Sequence, residues 1–167
     1  MAVGAKPKNL LLLVVLLLGS GGCVLRSHSA QSQDCISRKA LINVKLIVAA
    51  QLGRIDVMNS MIKSGADVNV SDDFFGTPVV AAAIGGNYDA VKLLLDNGAN
   101  VNATDAKGYT ALMRATESGN AEMVRLLLSD RADPNATRAG KFTALSIARS
   151  VNNEEIMKLL TDAGATE

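Results

Sequence analysis

From about residue 40 the chain is organised by a recurrence of apolar and small positions at an interval of 33 residues. Leu46, Val79, Leu112 and Leu145 share one column, and Ala49, Ala82, Ala115 and Ala148 another. Further on come Val57, Ala90, Met123 and Ile156, then Met61, Leu94, Leu127 and Leu160. Polar and turn-forming residues keep the same interval. Thr77, Thr110 and Thr143 align behind Val44, and Gly53, Gly86 and Gly119 are followed by Asn152. A second glycine column holds Gly65, Gly98 and Gly164 and is broken by Arg131. Whole stretches repeat as well, so that LLLDNGANVNATD from Leu93 to Asp105 returns as LLLSDRADPNATR from Leu126 to Arg138.

Within one period the pattern predicts two helices. PVVAAAI is a short apolar helix, and after a glycine turn YDAVKLLLDN places Val91, Leu94 and Leu95 at helical spacing. Thr77, Thr110 and Thr143 stand where a hydroxyl caps the first helix by accepting from an otherwise unpaired N–H. Gly98 stands where the second helix ends in a left-handed residue, a conformation that a Cβ disfavours. The stretch NVNATDAKGYT then fits a turn into the next unit. Four units result, at about 40–72, 73–105, 106–138 and 139–167, and the first and last are caps. Asn152, Asn153, Glu154 and Glu155 make the last one polar, Thr161 replaces the apolar column of Ile62, Leu95 and Leu128, and Ser37 is placed to cap a first helix carrying Arg38, Lys39, Asn43 and Lys45. A helix pair this small cannot bury its apolar face alone, so the units stabilise one another by stacking.

GADVN at 65–69, GANVN at 98–102 and GYTALMRATESGNAEMVRLLL at 108–128 resemble ankyrin repeats, whose period is 33 with a T-P-L-H-x-A signature. Thr77 and Pro78 keep the first half of that signature, whereas Thr110 and Thr143 are each followed by Ala. The signature's histidine is replaced in every unit, by Ile47, Val80, Met113 and Ser146. The resemblance covers about residues 40–167. It implies an all-α solenoid of helix-turn-helix units joined by β-turn or hairpin loops, binding another protein through the turn tips and the concave face of the first helices.

The N-terminus belongs to a different argument. An uncharged run from Leu10 to Leu18 follows Lys6 and Lys8 and ends in GSGGC, the layout of a secretory signal over residues 1–22. The run is about half the ~20 residues that a spanning helix needs. Ser20, Gly21 and Gly22 before Cys23 resemble a bacterial lipobox, which implies lipidation of Cys23 and, with Val24 next, sorting to an outer membrane. Plain export with cleavage between Gly21 and Ala30 is the alternative. Residues 23–36 read as a flexible tether containing the single histidine, His28, while the domain itself occupies 37–167. Cys35 either pairs with Cys23 or remains a lone thiol.

Composition narrows the chemistry. The chain carries a net charge of +1, which becomes −1 once residues 1–22 and their two lysines are removed. Basic and acidic residues are interspersed throughout, unlike the basic face of a nucleic-acid binder. Two cysteines and one histidine cannot supply the four ligands of a structural metal site. Neither His nor Cys lies inside the repeats, and the adjacent carboxylates Asp72 and Asp73 or Glu154 and Glu155 read as solvated, so no catalysis, cofactor or metal is expected.

The expected function is a monomeric protein-binding adaptor in a bacterial envelope. The alternatives are a secreted effector that meets host proteins and a stabilising or inhibitory subunit of an envelope enzyme. Of five aromatic residues, Phe74, Phe75, Tyr109 and Phe142 fall just before the column threonines, and only Tyr88 lies elsewhere. Aromatics and Arg are enriched where interfaces concentrate their energy. The expected partner strip is therefore Phe74, Phe75, Tyr109 and Phe142, extended by Ile84, Arg114 and Glu117 on the first helices and by Lys107 and Lys141. For Tyr109 and Phe142 the competing reading is packing on the neighbouring turn.

Overall fold

A computed structural model describes residues 30–73 and 75–166. The expected signal segment, Cys23, His28 and Phe74 lie outside the described residues. Residues from Cys35 onward form one compact unit.

Eight helices make up the described chain: α1 (Ala30–Gln51), α2 (Ile55–Lys63), α3 (Pro78–Ile84), α4 (Tyr88–Asp96), α5 (Ala111–Glu117), α6 (Ala121–Ser129), α7 (Ala144–Ser150) and α8 (Glu154–Asp162). They are four helix pairs, one per expected unit. First helices pack in a row, α3 on α5 and α5 on α7, and second helices do the same from α2 through α4 and α6 to α8. Isolated antiparallel bridges Asp72 to Gly76, Thr104 to Thr110 and Arg138 to Phe142 close a hairpin tip before each of α3, α5 and α7.

The periodic columns become the core. Leu46, Val79, Leu112 and Leu145 are buried, as are Ala49, Ala82, Ala115 and Ala148, where a small side chain lets adjacent first helices approach. Met123, Leu94, Leu127, Ile156 and Leu160 fill the layer beneath, and all belong to one continuous cluster. Each unit contributes a slice of a core that only the stack completes.

Every helix pair ends the same way. After α4, Gly98 at φ 83° donates to Leu95 O and Ala99 donates to Leu94 O. This is the Schellman arrangement, in which a left-handed residue satisfies the last carbonyls. Arg131 adopts the same geometry at φ 64°, donating to Leu128 O while Ala132 donates to Leu127 O. The glycine column is thus a backbone requirement that Arg131 meets under strain.

Two local expectations need correction. Thr110 and Thr143 cap their helices by accepting from Met113 N–H and Ser146 N–H, but Thr77 does not cap. Thr77 Oγ1 is buried with no hydrogen-bond partner among the described residues, although Pro78 at the first position of α3 leaves the Val80 N–H in place. The start of the domain also differs. Helix α1 begins at Ala30, so residues expected to end the tether are helical and Ser37 lies inside the helix instead of capping it. The run from Ala30 to Gln51 contains no Gly or Pro to stop a helix earlier.

Adjacent units are stitched by a column of asparagines. Asn69 Nδ2 donates to Gly98 O while its Oδ1 accepts from Asn100 N–H, 3.1 and 2.7 Å. Asn135 likewise donates to Gly164 O and accepts from Thr166 N–H. Asn102 accepts from Asp133 N–H at 2.8 Å. Asn87 ties the first two units differently, donating to Ala50 O and Gln51 O at the end of α1.

Candidate partner-binding surface

The hairpin tips straddle the unit boundaries and are counted with the helices they precede, so that the tip of the third unit is built around Asp105. Its Oδ1 accepts from Lys107 N–H and Tyr109 N–H, both at 2.9 Å, so a single carboxylate oxygen fixes the turn. Its Oδ2 accepts from Arg114 Nη2 at 2.5 Å, across to α5. Arg114 Nη1 donates in turn to Glu117 Oε2 at 3.0 Å. Burial alone would raise the Asp105 pKa, but the Arg114 hydrogen bond, the two backbone donors and the Arg114 charge together hold it below the usual carboxylate range. For Arg114, burial is likewise outweighed by Asp105 and Glu117, which raise its pKa.

Tyr109 completes this cluster. The Arg114 guanidinium lies 3.7 Å from its ring centroid and the Arg138 guanidinium 4.2 Å from it. Arg138 arrives from the next tip, where its Nε donates to Lys107 O at 2.9 Å and its guanidinium lies 5.7 Å from the Phe142 ring. One side chain thereby joins the tips of the third and fourth units.

The expected strip divides into residues engaged by the fold and residues open to solvent. Tyr109 and Phe75 are half-buried, and Asp72 Oδ1 accepts from Phe75 N–H. The Arg114 side chain is only 17 % exposed and serves as an internal clip, its Nε buried without an acceptor among the described residues. Glu117 is about half exposed and held by Arg114. Ile84, Lys107, Lys141 and Phe142 are exposed, Ile84 and Phe142 at 42 % and 48 %. For Tyr109, packing on the neighbouring turn is what the geometry displays. Sequence reasoning missed Asp105 and Arg138. The available signal was the column Asp72, Asp105 and Arg138, in which charge reverses in the fourth unit.

Among the described residues no helix is long and apolar enough to cross a membrane, and no cluster of His, Cys, Asp and Glu is arranged to hold a metal.

Stacked helix pairs with hairpin tips projecting along one edge define a repeat solenoid, a scaffold that presents side chains from successive units as one surface. A family model for ankyrin repeats matches residues 46–138 as three copies, and the chain belongs to the ankyrin-repeat family. Its repeats are protein–protein interaction modules and typically non-enzymatic. No curated protein matches the sequence.

Proposed function

We propose that this protein is an exported ankyrin adaptor of a bacterial envelope, binding another envelope protein as a monomer through its hairpin tips and the concave face of its first helices. The observation that carries this reading is the set of open side chains Ile84, Lys107, Lys141 and Phe142 on a scaffold that has engaged the tip aromatic Tyr109. An exposed Ile and Phe on a surface that also carries exposed cations are the ingredients of an interface core and rim. Export rests on the apolar run Leu10–Leu18, and anchoring rests on GSGGC with Cys23 as the acylated residue. One acyl chain binds a membrane only marginally, so stable anchoring requires more than one.

The test is affinity capture from envelope extract with the full chain. An Ile84→Ala, Phe142→Ala double variant should lose the captured protein, whereas Lys92→Ala, an exposed position on α4, should retain it. Equal loss in both removes the strip as the site. Metabolic labelling with a fatty-acid analogue should mark the wild type and spare Cys23→Ser. A chain that stays unlabelled and soluble outside the inner membrane ends the anchor proposal.

A further inference from the structure

We propose that the partner presents a bipartite segment, apolar where it crosses the first two units and rich in carboxylates where it crosses the tips of the third and fourth. This rests on the protein-binding reading above and adds the chemistry and orientation of the ligand.

The apolar half lies on α1 and on Leu52, the residue that follows it, whose N–H still donates to Val48 O. Leu41, Val44, Val48 and Leu52 are spaced by three, four and four residues, which places them on one side of a helix. Leu41, Val44 and Leu52 are 44 %, 40 % and 55 % exposed. The backbone of Gly85 lies against Gln51 O, so the end of α3 that carries Ile84 meets the end of α1. Scattered exposed apolar residues are ordinary, but a contiguous set on neighbouring helices marks a contact surface.

The other half is cationic because of how charges are consumed. Asp105 and Glu117 are both committed to Arg114. Lys107 and Lys141 are exposed and form no ion pair among the described residues, and Arg138 between them is fixed by Lys107 O and Tyr109. Lys107 and Lys141 face outward beside Arg138, whose guanidinium lies near the exposed Phe142 ring, and these three cations together with Arg114 outnumber Asp105 and Glu117. Asp73, exposed at the tip of the second unit, carries the opposite sign. An acidic ligand segment is attracted at one end of the strip and repelled at the other, which fixes its direction.

A protein segment fits this surface better than a polyanion does. The cations occupy two tips only, and nucleic acid or a lipid headgroup would gain nothing from the apolar half. Tyr109 is also unavailable for stacking with a base, since two guanidiniums already lie on it.

The experiment selects a random peptide library displayed on phage against the full chain, purified in detergent, with a Lys107→Glu, Lys141→Glu double variant in parallel. Both substitutions are at exposed positions, and an unchanged melting midpoint verifies the fold. The wild type should enrich peptides with an acidic cluster next to apolar residues. Those peptides should bind the double variant roughly tenfold more weakly and lose affinity as salt rises. Leu41→Ser with Leu52→Ser should weaken the same peptides without altering their salt dependence. Enrichment of neutral or basic peptides overturns the proposed ligand and leaves the protein-binding reading intact, while failure to enrich any peptide overturns both. Binding of single-stranded DNA or of phosphatidylglycerol vesicles that depends on Lys107 and Lys141 reassigns the surface and likewise overturns the proposal.

Discussion

At the tip of the third unit, Asp105 gathers two backbone N–H groups and an arginine; at the same column of the fourth unit stands Arg138, whose side chain has no atom that can accept a hydrogen bond. The two tips close differently as a result. In the third, Gly108 N–H donates to Asp105 O and only Gly108 takes positive φ, at 78°. In the fourth, Lys141 N–H donates to Arg138 O, and Ala139 and Gly140 between them stand at φ 51° and 67°, the sign pattern of a type I′ turn. Arg114 has Ile147 in its column, so the fourth unit lacks both partners of the internal ion pair. Its arginine turns outward to the neighbouring tip instead. Two differences, Arg138 in the column of Asp105 and Ile147 in that of Arg114, separate a tip that stabilises its own unit from one that couples two.

The comparison is most easily broken at Asp105. Asp105→Ala leaves the largely buried Arg114 with only the half-exposed Glu117 as its ion partner and deprives two N–H groups of their acceptor, and should cost about 2 kcal/mol in urea denaturation. Adding Arg114→Met should recover part of that loss by removing the stranded charge. The cost should also depend on pH. Because the folded-state pKa of Asp105 is lowered, its contribution is complete above the ordinary carboxylate value of about 4 and disappears as the pH falls through the lower folded-state value. Wild type and Asp105→Asn should therefore converge in stability on acidification, and a gap that stays constant down to the acid transition contradicts the role given to this carboxylate.

A smaller and opposite effect is expected where a side chain occupies left-handed backbone. Ala139→Gly and Arg131→Gly each relieve a strain of about 1–2 kcal/mol, offset by the greater unfolded-state entropy of glycine. Each should raise stability by about 0.5–1 kcal/mol, read as a higher melting midpoint. An unchanged or lowered midpoint indicates that the native loop has adapted to its side chain. Least of all is Arg138→Ala, which removes a partly exposed cation–π contact and one hydrogen bond to Lys107 O, at a cost of about 0.5–1 kcal/mol. If it proves as damaging as Asp105→Ala, the contrast between the two tips fails.

The helix pairs, the core columns and the left-handed ends were legible in the sequence because every unit must solve the same backbone problem, and a repeated solution leaves a period. Arg131 was readable as an exception for that reason. The role of Thr77 was not, since the same column caps in two units and does not in this one. Arg114 looked like a surface residue because its position on α5 is open in principle; only the fold brings Asp105 to it from nine positions earlier. Arg138 was hidden for a related reason, as its contacts lie with the preceding unit, 31 residues away at Lys107. Periodicity reports what units share, and the surface is made where they differ.

The asparagine column gives the stack a mechanical character. Asn69, Asn102 and Asn135 each fasten one loop to the next, and the last of them secures the tail at Thr166. Tension between the ends of the domain would reach these fastenings in turn, from whichever end yields first. Each 33-residue unit released would lengthen the chain by about 110 Å. A protein held at its N-terminus and pulled through a bound partner would then give way in discrete steps, absorbing a load by paying out slack before the grip itself is lost.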